Sequence, residues 1–363
     1  MKVALTYNLK KLHKDPELPL DFYSEFDSEK TVNSIKDALL KGGNEVILVE
    51  ADGNLVDNLI RQKENIDIVF NIAEGQSGPS RESRVPAILD YFGIPYTGSG
   101  VLALAVALDK ALTKKVFMGE GIPTPRFQLF KTPIDTFNRS LKFPLIVKPN
   151  CEGSAKGITR LSVVQDESQL REQVDLTLEL YNQDALVEEF IEGKEITVGV
   201  LGNGELLVMP ILEIDFSNCE ESGEYFYSWR MKEYQGDAAA HLVPAFYCPA
   251  RLDEKTTQRV KNTAKRAHLA LGCNDFSRTD IRLSSDGTPY ILEVNPLPGL
   301  DPEESNFTYI AKSHGIDYVT LINRILQNAI DRKGVVSWRK KDGGILSCGK
   351  TSQRNNGKTG DGS

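Results

Sequence analysis

The chain has 363 residues, 40% hydrophobic and 26% charged, with a formal net charge of −8. That length suits two or three packed units, and the negative balance disfavours binding nucleic acid through overall charge. The longest apolar run, Val101 to Leu108, falls short of the roughly 20 residues of a membrane span; five cysteines without Cys-x-x-Cys spacing and four histidines without a His-x-x-x-His pair argue against a disulfide framework or a zinc site.

Lys2 interrupts the first apolar residues too early for a secretory signal, so Lys2–Thr6 reads as a buried first strand and the cytoplasm as the expected address. The pattern then predicts a helix over Glu29–Leu40, a strand over Glu45–Val49, a helix over Leu55–Lys63, a strand over Ile66–Asn71 and a helix over Arg84–Phe92. Such alternation predicts a parallel sheet flanked by helices, a Rossmann-like α/β unit over residues 1–108. Gly93 to Gly100 supplies turn residues, and a helix from Asp109 to Gly119 stops at Gly121-Ile122-Pro123-Thr124-Pro125.

Beyond it, strands are expected at Leu145–Lys148, Ile158–Val164, Ile196–Leu201, Leu206–Ile214, Ile281–Leu283 and Tyr290–Val294. Helices are expected at Ser168–Tyr181, Asp253–Leu271 and Tyr318–Ala329. This is a two-lobed α+β region, 109–190 and 191–332. Residues 333–363, rich in Lys, Gly, Ser, Asn and Thr, cannot offset their ordering entropy and read as a disordered tail.

Four features carry chemistry. Strands bearing Asp280 and Glu293-x-Asn295 flank a Ser-Ser-Asp-Gly-Thr turn, so a hairpin would gather three oxygen ligands of the kind Mg²⁺ selects. A solvated hairpin face would show the same residues. Val147-Lys148-Pro149 runs into a glycine loop with Glu152-Gly153-Ser154, where freed backbone N–H groups can cradle phosphate oxygens; a plain flexible turn leading into the next strand is the blander reading. The run Glu188-Glu189-Phe190-Ile191 to Glu195 offers a strand edge for an adenine and a carboxylate for ribose hydroxyls, or a charged surface loop. Arg278, two residues before Asp280, shares its side of the strand and suits stabilising phosphoryl oxygens, or a simple salt bridge.

In their joint order these motifs resemble the ATP-grasp superfamily, and within it the D-alanine–D-alanine ligases, over residues 1 to about 332. The resemblance rests on Gly93-Ile94-Pro95-Tyr96-Thr97-Gly98-Ser99 with Leu108-Asp109-Lys110, on Val147-Lys148-Pro149 with Glu152-Gly153-Ser154, and on Arg278-x-Asp280 with Glu293-x-Asn295-Pro296-x-Pro298-Gly299. It implies an ATP-dependent ligase that joins a small-molecule carboxylate to an amine through an acyl phosphate, with no nucleic acid or membrane partner and a homodimer as a possible assembly. By the same resemblance Lys110, Lys148 and Lys232 contact phosphates, Glu188 to Ile191 present the adenine edge and Glu195 holds the ribose. Asp280, Glu293 and Asn295 hold two Mg²⁺ (or Mn²⁺) ions, Arg278 and the Gly299 N–H form the oxyanion site, and the loop Gly223–Tyr234 closes as a lid.

The substrate side departs from that family's pattern. Tyr7-Asn8-Leu9-Lys10 opens an insertion where the family has a Gly-Gly turn before Ser-x-Glu-Arg-Glu, leaving Asp27 or Glu29 to grip an amino group. Glu74 stands at the place of a histidine and Glu233 at that of a tyrosine. Glu304 falls where a serine receives the second substrate's carboxylate, with Ser305 available if the register slips by one. Two alternatives therefore stay open: a ligase for another amino acid, peptide or secondary-metabolite precursor, and a non-catalytic nucleotide-binding protein.

Overall fold

A computed structural model of the chain describes residues 1–10 and 18–334. The tail expected from residue 333 lies, from 335 onward, outside the described residues. In chain order the elements are β1 (Lys2–Tyr7), α1 (Glu29–Lys41), β2 (Glu45–Glu50), α2 (Leu55–Gln62), β3 (Ile68–Asn71), α3 (Arg84–Phe92), α4 (Val101–Leu108), α5 (Lys110–Gly119), β4 (Phe127–Phe130), β5 (Leu145–Pro149) and β6 (Val163–Val164). There follow α6 (Glu167–Tyr181), β7 (Ala185–Glu189), β8 (Lys194–Gly202), β9 (Leu206–Asp215), α7 (Trp229–Glu233), β10 (Ala245–Tyr247), α8 (Glu254–Ala270), β11 (Phe276–Leu283), β12 (Pro289–Asn295), α9 (Asn306–Ser313) and α10 (Tyr318–Lys333).

The first unit is the expected parallel sheet, ordered β2-β1-β3. Val3, Ala4 and Leu5 of β1 are wholly buried because helices cover both faces of a parallel sheet, which removes any polar alternation. Helix α1 starts at Ser28, whose side chain accepts the Thr31 N–H, and buries Thr31, Val32, Ile35, Ala38 and Leu39, one helical stripe. That stripe shares a core with Ile322, Ile325 and Leu326 of α10 and with Leu201, Leu212, Phe276 and Phe307 beside the third unit's sheet. The first and third units are thus held by one continuous apolar contact.

The second unit is a four-stranded sheet, β4-β7-β5-β6, and the third a five-stranded one, β10-β9-β8-β11-β12. The chain crosses between them from Glu189 to Lys194, at the end of β7 and the start of β8. Helix α5, grouped by sequence with the second unit, packs Phe117 into the core of the third, beside Ile196, Val198, Val260 and Ile281.

One expected strand is reduced to two residues. Ile158–Val164 pairs only through Val163–Val164, since Thr159 accepts the Leu161 N–H and folds Arg160–Ser162 into a single 3₁₀ turn. The apolar pattern there is local, and the cap overrides it. Ile66 and Asp67 precede β3, and Asp109 caps α5 from outside, accepting the Leu112 N–H. Among the described residues no helix is long and apolar enough to cross a membrane.

Candidate functional site

The first, second and third units meet around a cleft of about 620 Å³. Its floor is the β11–β12 hairpin, whose register sets Arg278 opposite Asn295 and Asp280 opposite Glu293 before a bulge shifts it at Ile281. Directly opposed residues share a face, so the four side chains project together. Arg278 grips Asp280 with two parallel bonds, Nε–Oδ1 at 2.9 Å and Nη2–Oδ2 at 2.7 Å. Asn295 Nδ2 donates to Asp280 Oδ2 at 2.9 Å, and Lys110 Nζ lies 3.2 Å from Glu293 Oε2. Burial alone would raise the Glu293 carboxyl, but Lys110, Lys148 and Arg278 outweigh it and hold it at about 2, fully ionised. Asp280, Glu293 and Asn295 together offer only hard oxygen donors, a set that fits Mg²⁺.

Above the hairpin sits the glycine loop. Gly153 N–H donates to Glu25 Oε1 at 2.7 Å, and a Cβ on Gly153 would fall 2.5 Å from that oxygen, so glycine is required for the approach. Ser154 and Ala155 follow with φ of 52° and 57°, a left-handed pair that L residues seldom adopt. Glu152 is tied down by Lys156 at 2.5 Å, Gln183 at 2.8 Å and Arg81 at 3.2 Å, and its carbonyl accepts from Lys110 Nζ.

Lys148 and Glu188 form a buried pair at 2.5 Å, and Lys114 reaches the same carboxylate at 2.7 Å. Burial draws the Lys114 ammonium down to about 8, countered by Glu188 and reinforced by Lys148. The Glu188 side chain therefore serves the two lysines and is not a contact for a base. Next to it a smaller apolar cavity is lined by Ile146, Phe190, Ile191, Phe226, Tyr227 and Leu292. The Glu189 N–H donates to Arg126 O, the Phe190 N–H to Pro144 O, and the Ile191 C=O accepts Arg282 Nε at 2.9 Å. Ile191 lines this cavity, and its N–H has no acceptor among the described residues. Glu195 pairs with Arg282 Nη1 at 3.1 Å, and burial raises its carboxyl.

The loop expected to act as a lid lines the cleft through Tyr227, Trp229, Lys232 and Glu233. Lys232 Nζ donates to Ser154 Oγ at 2.9 Å, Trp229 Nε1 to Ser24 Oγ at 2.9 Å, and Glu233 pairs with Lys10 at 3.1 Å. Gly299, Glu304 and Ser305 line the far end. Ser305 Oγ accepts the Asp301 N–H at 2.9 Å, closing the turn before α9, while Thr31 Oγ1 donates to Asp301 Oδ2 at 2.9 Å.

Apart from Glu29, the residues singled out from the sequence for phosphate, metal or substrate contact border this cleft or the small cavity beside it. Asp27 lines it; Glu29, the other candidate for gripping an amino group, is exposed in the first turn of α1 and is not among the lining residues. Sequence reading passed over Glu25, Arg81, Lys114 and Lys156. Lys114 had a signal: it repeats Lys110 one turn on along an apolar helix, and two lysines on a buried stripe require an acid elsewhere. Arg81 had none, because its partner Glu25 lies 56 residues away.

The family model for the D-Ala–D-Ala ligase C-terminus matches residues 116–327. Among curated proteins, a D-alanine–D-alanine ligase of Carboxydothermus hydrogenoformans is 34% identical over 313 residues, 84% of this chain and 94% of that protein. One from Halalkalibacterium halodurans is 36% identical over 303 residues, 82% of this chain and 92% of the relative. A crystal structure of D-alanine–D-alanine ligase from Bacillus anthracis complexed with ATP shares the fold at a TM-score of 0.70, with 24% identity over 92% of this chain and 99% of that one.

Proposed function

The chain belongs to the D-alanine–D-alanine ligase family of ATP-grasp, ATP-dependent carbon–nitrogen ligases, and we propose that its cleft activates a carboxylate with ATP and joins it to an amine. The observation that carries this reading is the hairpin register: Asp280 against Glu293 and Arg278 against Asn295, in one cleft with Lys110, Lys148 and Lys232.

A carboxylate is a poor acyl donor at neutral pH. Its oxygen attacks the γ-phosphorus of ATP, ADP leaves, and an acyl phosphate forms. The amine nitrogen then attacks the acyl carbon, the tetrahedral oxyanion is met by Arg278 and the Gly299 N–H, and phosphate departs as the amide forms. Lys148, held in place by Glu188, and Lys110, held against Glu293, supply charge at fixed positions to the transferring oxygens. Mg²⁺ held by Asp280, Glu293 and Asn295, two ions in this reading, would neutralise phosphate charge when bound. The lid that brings Lys232 to Ser154 excludes water, protecting the acyl phosphate from hydrolysis. Adenine sits in the small apolar cavity against the Ile191 N–H, with Glu195 toward the ribose.

Small-molecule substrates and a cytoplasmic location accompany this reading. Glu304, at the end where the family receives the acceptor's carboxylate, favours a substrate pair other than two D-alanines, because an acid there repels that carboxylate; Glu74 and Glu233 mark further departures from the family's substrate pocket. The test is ADP release from purified protein with ATP, Mg²⁺ and pooled D- and L-amino acids. Release that depends on an amino acid is expected; its absence with every pool would leave a nucleotide-binding protein without turnover.

A further inference from the structure

Three carboxylates in the cleft make no direct ion pair among the described residues, although Arg81 lies near Glu74 and Arg81 and Lys110 lie near Glu82. Glu25, beside them, is already compensated: Arg81 Nη2 lies 2.7 Å from both of its oxygens, Gly153 N–H donates to one, and Lys156 stands 3.5 Å away. Asp27, Glu74 and Glu82 line the same cavity, and their side chains have no hydrogen bond or ion pair among the described residues. Glu82 is 9% exposed as a residue, and its side chain faces the cleft without a hydrogen-bond partner among the described residues. Oxygens of Glu25, Glu74 and Glu82 all lie within 4.8 Å of one another, a spacing that one ammonium group can bridge.

Burial raises all three, helped by Asp301 at Asp27 and by Glu82 and Glu25 at Glu74; at Glu82 it prevails over the pull of Arg81 and Lys110, so that Asp27 and Glu82 go to about 7 and Glu74 well above the usual carboxylate range. An unfilled acidic pocket of this kind is costly to keep unless something cationic occupies it. The α-ammonium of an ordinary amino acid would balance only one of the three. Glu82 also faces Lys110 and Glu293, at the end where phosphoryl transfer takes place, so the occupant belongs to the substrate whose carboxylate is phosphorylated.

We infer, on the basis of the ligase reading, that the carboxylate donor is an amino acid with a second, cationic group on its side chain, a primary alkylammonium seated between Glu74 and Glu82 beside the Arg81–Glu25 pair. The α-ammonium then meets Asp27. A divalent cation is the rival occupant, but it would have to share Glu25 with the Arg81 guanidinium that already holds both of that residue's oxygens.

The experiment compares D- and L-lysine and D- and L-ornithine with norleucine, which matches lysine in chain length but lacks its charge, and with alanine. ADP release with ATP and Mg²⁺ is measured, and thermal shift of the nucleotide-free protein gives a readout without turnover. A basic amino acid should exceed norleucine at least tenfold in kcat/KM and should raise the melting temperature where norleucine does not. Glu82→Gln, and separately Glu74→Gln, should shrink the lysine-to-norleucine ratio severalfold. Alanine or norleucine used as well as lysine would overturn the inference and leave the ligase reading standing. If no amino acid releases ADP, the ligase reading falls, and equal thermal shifts from lysine and norleucine would then overturn the inference as well. Stabilisation by Ca²⁺ or Zn²⁺ that Glu82→Gln removes would mark a metal site and overturn it too.

Discussion

Replacing Arg81 with methionine removes a guanidinium that is 2% exposed and holds three groups: Glu25 at 2.7 Å, Glu152 at 3.2 Å and the Cys151 carbonyl at 2.6 Å. Methionine fills much of the volume but supplies no donor. Breaking a buried pair by deleting one partner costs about 3–5 kcal/mol, because the remaining charge stays buried and uncompensated. At roughly 2–4 °C per kcal/mol the melting midpoint at pH 8 should fall by about 6–20 °C. The loss should depend on pH. In the native protein burial would raise Glu25, but Arg81 and Lys156 outweigh it and hold its carboxyl below the ordinary value, so its contribution is present above the unfolded pKa and fades as pH falls. Without Arg81, burial and the neighbouring acids raise the folded pKa above the unfolded one, and the penalty grows as pH climbs between the two. Melts followed by circular dichroism at pH 8 and pH 5 should therefore show a smaller deficit at pH 5. A deficit under about 1 kcal/mol at pH 8, or one equal at both pH values, would refute the assignment of Arg81 as the charge that keeps Glu25 ionised.

Arg278→Met should lower kcat by about 10²–10³ with a smaller change in KM, as expected of a group that stabilises charge in the transition state; steady-state ADP release checks this. Glu188→Gln leaves Lys114 and Lys148 facing each other without a counter-ion, so a loss of about 3 kcal/mol is expected by urea denaturation, together with a raised KM for ATP. Gly153→Ala drives a Cβ to 2.5 Å from Glu25 Oε1 and should cost about 1–3 kcal/mol while cutting kcat, whereas Gly119→Ala, where a Cβ meets nothing within 4 Å, should leave stability within about 0.5 kcal/mol. Lys10→Glu turns the lid contact at Glu233 into repulsion and should raise the uncoupled hydrolysis of ATP relative to product formation, read as the ratio of ADP to coupled product.

Much of the fold follows from local signals. The buried run Lys2–Tyr7, the stripe on α1 and the Ser28 cap are written within a few residues, and so is the β11–β12 hairpin, whose turn dictates its register. Because register follows from turn length and alternation, Asp280, Glu293, Asn295 and Arg278 could be placed on one face before any tertiary contact was known. The same locality misled at Ile158–Val164, where apolar spacing suggested a strand but the Thr159 cap and the left-handed Ser154–Ala155 pair turn the chain away.

Sequence alone thus determined the family and brought together the residues proposed for phosphate and metal contact, because those residues lie in short ordered motifs whose geometry is set by neighbours in the chain. Tertiary structure alone decided which charges are paired. Arg81 with Glu25, Lys114 with Glu188, and Glu233 with Lys10 lie 56, 74 and 223 residues apart. No periodicity or turn rule links such positions, and whether a carboxylate is neutralised or left bare depends on how three separately formed units close on one another. Asp27, Glu74 and Glu82, which make no ion pair among the described residues, are the clearest product of that closure: residues from the segment before α1, the loop after β3 and the 3₁₀ turn Arg81–Ser83, which become a cation site only when the cleft assembles around them.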